Sequence, residues 1–373
     1  MLQNLSQEVH RVTRADPTLP WTGTIGLAIA VGIAYFVAAQ LGLALLAKPD
    51  GVAVFWPAAG VSSGVLIALG RDARLPVAGG VMIATVIANL TGDRNVWSAT
   101  VFALCNAGEA VLTAWLIERY FGSPFRLDRL RNVLGLLAAA VVATAVSGIG
   151  GTMAFKLFHS PTAPLWTIWG DWFASDAVGI ITVAPLMIGF AKALRKPPPP
   201  NEIIEGIVAL VVLAVINAIT VFLPPESWEP ALPPALLFPF LLWIAARCQP
   251  VFAAAAVFIV SLTIVWTITF GIGHFGDTAI PIGARILEAQ TAILGIALEA
   301  YVLAALFAER RQSETRLQEA LAAGAVTAFE WNPRNGLSQR SKNAAQILGL
   351  GPQQSAPGKL AKNRRCKSPT GKV

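Results

Sequence analysis

The sequence predicts an all-α polytopic membrane protein of about eight to ten transmembrane helices, with a short cytoplasmic helix and a small α/β segment at its C-terminal end. Three observations carry this. Of 373 residues, 55% are hydrophobic and 13% charged, and the mean hydropathy is +0.62; a soluble chain carries about a quarter charged residues. The apolar residues fall in blocks of about 20, the length a helix needs to cross about 30 Å of hydrocarbon. Lysine and arginine then alternate between rich and poor connecting segments. A helix pairs its own backbone groups, which suits it to a membrane. Sustained β-alternation is not the dominant pattern, which argues against an outer-membrane barrel.

Taken in order, the spans are 22–47, 52–70, 76–92, 97–118, 133–155, 166–191, 203–223, 234–246, 251–271 and 289–308. The third and eighth are short, and Pro239 inside the eighth predicts a broken or re-entrant helix. Met1 to Pro20 is polar and has no small-residue cleavage site, so the first span is expected to serve as an uncleaved targeting signal. Pro197 to Pro200 should extend as a polyproline spacer. No internal repeat is visible, so an inverted-repeat architecture gains no support. Cys105, Cys248 and Cys366 are widely spaced and form no metal or redox motif, and the two in or beside spans read as packing residues.

The charges test the count of spans. One set of connections holds Arg11, Arg14, Arg71, Arg74, Arg119, Arg126, Arg129, Arg131, Lys192, Arg195, Lys196 and Arg247; the other holds Lys48, Arg94, Lys156 and Arg285. The positive-inside rule puts the first set, and with it both termini, in the cytoplasm of a multi-pass inner-membrane protein. The segment Leu223 to Pro234 carries Glu226 and Glu229 without Lys or Arg, as an outer loop should. The net charge of +7 follows from this bias and is no argument for a nucleic-acid partner. The partner the composition implies is the lipid bilayer.

Past Phe307 the composition changes. The membrane part is expected to end at 308 (residues 22–308), and residues 309–322 continue the last span as a charged cytoplasmic helix. Leu303, Leu306, Phe307, Leu317 and Leu321 supply apolar positions, interrupted at Arg310, Ser313 and Glu314. Helix 303–322 thus offers a homodimer contact without a strict heptad. Ala325 to Trp331 reads as a strand, Asn332 to Gly336 as a hairpin turn, Leu337 to Ser341 as the partner strand and Lys342 to Leu350 as a helix stopped by Gly351-Pro352. This makes an α/β segment over 323–351, followed by a basic tail, 352–373, expected to be disordered.

An ionisable group inside a span is costly and is a functional candidate by default. Those candidates are Glu109, Asp171, Asp176 and Glu299, with Asn89, Asn106, Asn217 and Gln290 as neutral polar company. Asn106 and Glu109 share a helix face. Asp171 and Asp176 are five residues apart, about 140° on a helical wheel, and need not meet. Such groups either bond neighbouring helices, as polar residues in membranes do, or line a polar cavity for a ligand or ion. A further cluster, Phe55-Trp56-Pro57-Ala58-Ala59-Gly60, opens the second span. There Trp56 reads as an interfacial anchor, Pro57 as a kink, and the small residues as close-approach positions.

FWPAAG (55–60) followed by SSGVLIALG (62–70) resembles the signature of the first membrane-associated sensor family, the MASE group. Asn89 in ANLTG, Asn106 and Glu109 in NAGEAVLTAWLIER, and Trp169, Asp171, Trp172, Asp176, Gly179 and Pro185 in WGDWFASDAVGIITVAPLMI are similar to its other motifs, over roughly residues 25–310. The family usually has Trp-Pro-Pro-Ala where this chain has Trp-Pro-Ala-Ala. The resemblance implies a sensory input module of a bacterial histidine kinase or cyclic-di-GMP enzyme. Trp56, Pro57, Asn89, Asn106, Glu109, Trp169, Asp171, Trp172 and Asp176 would then be its ligand-sensing residues, for an unknown small-molecule or physical stimulus. Residues 319–350 resemble the opening of a PAS domain, a fold of about 100 residues, so the chain is expected to be truncated before its output domain.

The sequence shows no phospho-acceptor context for His10, His159 or His274, and no ATP lid, GGDEF run, Walker motif or metal-ligand spacing. The expectation is therefore a non-enzymatic chain without cofactor or metal. The alternative is a small-solute or ion transporter that uses Glu109 and Asp176 inside the membrane.

Overall fold

The computed structural model describes residues 21–47, 52–92, 95–159, 163–222, 232–324, 329–332, 337–340 and 358–359. Among these, ten α-helices follow one another: α1 (Trp21–Ala44), α2 (Pro57–Leu69), α3 (Arg74–Thr91), α4 (Val96–Phe121), α5 (Leu130–His159), α6 (Leu165–Arg195), α7 (Pro200–Phe222), α8 (Leu232–Arg247), α9 (Pro250–Phe270) and α10 (Ile282–Ala323). A short ladder pairs β1 (Leu46–Ala47) with β2 (Val52–Ala53) between α1 and α2. All the helices except α2 and α8 are long and apolar enough to cross a membrane, eight in all among the described residues. The molecule is a multi-pass helical membrane protein.

Local sequence sets the helix ends. Asn95 caps α4, its side chain accepting the Trp97 backbone N–H at 2.9 Å. Gly122 stops α4 at φ +78°, a conformation that favours glycine. The prolines before α7 stay outside the helix up to Pro199, and the fourth, Pro200, begins it, where its missing N–H needs no partner.

Small residues set the packing. The closest pair is α2 on α6: a Cβ on Gly60 would stand 2.2 Å from the Gly179 carbonyl oxygen, and one on Gly64 would stand 2.8 Å from the Ala184 Cα. The α1–α3 pair repeats the device, with Gly80 against the Ala28 carbonyl. Lipid supplies no hydrophobic drive between helices, so close backbone contact has to supply the attraction. One core joins α1 to α6, and α9 and α10 add Ala254, Val257, Ala297 and Tyr301 to it. A second core centres on α7 to α10.

One end of the bundle is held by ion pairs. Arg71 and Arg74 both bind Glu118, Lys192 meets Asp128 at 3.5 Å, and Arg247 meets Glu205 at 2.8 Å. Arg195 adds a hydrogen bond to the Ala68 carbonyl. Exposed pairs like these add little stability, but they gather the Arg-rich connections at one end.

Three sequence expectations are corrected. The second span does not run from 52 with a kink at Pro57: the chain is non-helical through Trp56, and Pro57 is the first residue of α2, the helix position that best tolerates it. The eighth is not broken at Pro239, because α8 continues through it. The last helix begins at Ile282, not 289. Arg285 looked like a loop residue; here it lies in the first turns of α10, buried, its guanidinium donating to the Gly276 carbonyl at 3.3 Å. The loop holding Glu226 and Glu229 lies outside the described residues.

The chain divides into two compact units, Met1–Ala308 and Glu309–Val373. In the second, β3 (Phe329–Asn332) pairs antiparallel with β4 (Leu337–Arg340), the register running from Phe329 opposite Arg340 to Asn332 opposite Leu337. Gly358–Lys359 form β5 on the β4 edge, where that edge leaves backbone groups to pair. The helix expected over 342–350 and the remainder of 352–373 lie outside the described residues.

Candidate functional site

The site begins where helix is missing. Val54 and Phe55 are fully buried in non-helical backbone just before α2. Non-helical backbone at membrane depth survives only where protein satisfies its polar groups. Here two long-range bonds do so. The Trp56 N–H donates to the Ser175 carbonyl on α6 at 2.9 Å, and the buried Gln290 side chain on α10 donates to the Val54 carbonyl at 2.9 Å. Gln290→Leu would strand that carbonyl, and we expect it to cost about 1–3 kcal/mol, read as a lower unfolding midpoint in detergent. An unchanged midpoint would show that the bond contributes nothing.

Trp56 is half-buried and packs against its neighbours. Its ring lies against the position a Gly42 Cβ would take, at 2.9 Å, and its indole stands with Thr85 beside the Tyr35 hydroxyl. Tyr35, wholly buried on α1, accepts a hydrogen bond from the Asn106 amide at 2.9 Å. One turn along α4, Glu109 is 3% exposed, and Asp176 on α6 is 4% exposed. The two carboxyls face each other, with the Ser147 hydroxyl of α5 close to Glu109. Ser175 donates to Asp176 at 3.5 Å. The Trp172 indole faces Asp176 short of a well-formed hydrogen bond, and Glu109 Oε2 receives no N–H or hydroxyl among the described residues.

Elements from α1 to α6 therefore converge on one buried polar cluster. A direct hydrogen bond between two such carboxyls would need a proton on one of them. No Lys or Arg pairs with either acid among the described ion pairs. No grouping of three His, Cys, Asp or Glu suited to a metal occurs among the described residues. The arrangement can hold a proton or offer acid oxygens to a small polar ligand.

Of the other expected residues, Trp172 borders this centre and the rest fall outside it. Asn89 ends α3 and bonds back to the Thr85 carbonyl at 2.8 Å. Trp169 donates to the Ala145 carbonyl at 3.1 Å and stacks on Phe173 with ring centres 5.2 Å apart. Trp172 packs on Phe102, 5.2 Å between ring centres, and over Gly151. Asp171 is half-buried and, five residues from Asp176, points to a different face of α6. Asn217 bonds Thr263 at 2.7 Å, tying α7 to α9. Glu299 is exposed on α10. The sequence reading missed Tyr35, Thr85, Ser147 and Ser175. Tyr35 carried a usable signal, as one of three tyrosines in the chain and set within an apolar block; the hydroxyls of Thr85, Ser147 and Ser175 resemble those of any membrane helix.

Among protein families, the model of MASE1 matches residues 27–311. No curated protein and no solved structure matches the chain. The matched stretch holds every residue of the polar cluster and stops short of β3 and β4, so the likeness of residues 319–350 to a PAS opening draws no support from it.

Proposed function

The chain belongs to the MASE1 family, a membrane sensory domain of signalling proteins, and from that premise we propose that it is the input module of a bacterial sensor of the histidine-kinase or cyclic-di-GMP type. In this reading it sits in the inner membrane with both termini in the cytoplasm, and α10 hands the signal to a PAS-like relay. The Arg-rich end of the bundle supports the orientation. The observation that carries the reading is the buried Glu109–Asp176 pair, connected through Ser175, Trp56 and Val54 to Gln290 on α10. A stimulus that binds better to one arrangement of the acids would shift α6 and the start of α2. Through Gln290 it would also bias α10.

The deciding experiment fuses residues 1–322 to a reporter output domain. Glu109→Gln and Asp176→Asn should insert normally yet lock output on or off. Output indifferent to both, together with vesicle uptake of a solute that Glu109→Gln abolishes, would replace the sensor reading with the transporter one. Intramembrane acids would also serve a transporter.

A further inference from the structure

Helix α10 leaves one face uncovered along its membrane stretch. Leu287, Leu294 and Leu298 are 66%, 37% and 43% exposed; Ala284 before them, and Thr291 and Gly295 between them, are exposed as well. These positions follow the helical period and make one straight stripe. Exposed leucines are what any lipid-facing helix shows. Glu299 is different. It lies on the same stripe, exposed, inside the apolar stretch of α10, and makes no hydrogen bond or ion pair among the described residues. Ionisable residues within membrane helices almost always face a bundle interior or a water-filled cavity, because hydrocarbon solvates them poorly. One turn earlier, Gly295 has nothing within 4 Å of where its Cβ would stand, so packing within this chain does not require a glycine there.

We propose that this stripe is the seam on which a second copy of the chain packs, α10 against α10, in parallel, with the two Glu299 carboxyls meeting beside Gly295. Depth argues for a second copy over another protein. Copies inserted under the same charge bias share an orientation, and a two-fold axis along the membrane normal brings identical positions together at identical depth. A carboxyl pair holding one proton has both a donor and an acceptor, so Glu299 complements itself. Gly295 supplies the close approach that membrane helix pairs use. This seam lies inside the membrane, and it stands whether or not the sensor reading does.

The test uses the full chain in native membranes, with Cys105, Cys248 and Cys366 replaced by alanine. Single cysteines are introduced as Thr291→Cys, Leu294→Cys, Gly295→Cys and Leu298→Cys, and on the buried face as Ile293→Cys, Ala297→Cys and Ala300→Cys. Oxidation should link copies through the first group about tenfold more than through the second. In a chain keeping its own cysteines, single-molecule bleaching should count two copies. There Glu299→Leu should weaken pairing about tenfold, and Glu299→Gln, which keeps a donor and an acceptor, should retain it. A monomer by bleaching, cross-links confined to positions off the stripe, or pairing unchanged by Glu299→Leu would each overturn the proposal.

Discussion

Gly179→Ala is expected to destabilise the bundle by about 3 kcal/mol, while Gly170→Ala on the same helix leaves it unchanged or slightly firmer. Alanine normally favours a helix over glycine by about 1 kcal/mol, so the expected sign at Gly179 is the reverse of intrinsic preference. The reason is geometric. A Cβ on Gly179 would stand 1.9 Å from the Trp56 carbonyl oxygen and 2.6 Å from its carbon, whereas one on Gly170 would meet nothing within 4 Å. The obstacle is backbone, and that backbone is pinned by the Trp56 N–H bond to Ser175 one turn away. A side chain could rotate aside; this segment would have to leave α6. Thermal unfolding in detergent, followed by tryptophan fluorescence, checks the pair. Equal midpoints for the two variants would mean that α2 and α6 do not meet as closely as described. Because Asp176 lies one turn before Gly179, the same substitution should also disturb the acid pair.

How much of this was readable in advance depends on the kind of contact. The spans emerge from composition because hydrocarbon thickness imposes a length, and α1, α4 and α9 begin and end within a few residues of the expected 22–47, 97–118 and 251–271. The tighter corrections come from residues whose meaning depends on a distant partner. Pro57 can kink a helix or start one, and only the Ser175 carbonyl waiting on α6 makes the non-helical Trp56 tenable. Arg285 reads as an outer-loop charge until the Gly276 carbonyl receives it inside α10. Within the site, Asn106 and Glu109 were legible as a shared face because their spacing is local. Their junction with Asp176, more than sixty residues on, follows from helix packing that periodicity does not encode. Tyr35 and Ser147 complete the cluster for the same reason: a hydroxyl gains significance only from what stands opposite it.

The second large effect concerns that junction. Glu109→Gln and Asp176→Asn should each change signalling output by between about 5-fold and 150-fold, the usual span of coupling between a site and its readout. Their double variant should fall far short of the product of the two. The acids face each other in one buried cluster, so the first substitution already alters what the second can reach. Residues in contact couple by about 0.5–3 kcal/mol, whereas distant ones add independently. Asp171→Asn is the internal control. It removes the same kind of carboxyl five residues away on a different face of α6, and should leave output near wild type and combine additively with Glu109→Gln. If Asp171→Asn matched Asp176→Asn, or if the double variant multiplied cleanly, the loss of negative charge alone would explain the phenotype and the paired geometry would not be the sensing element. A shortfall confined to Glu109 with Asp176 would tie the output to the contact between the two acids, since neither net charge nor helix composition differs between Asp176→Asn and its control.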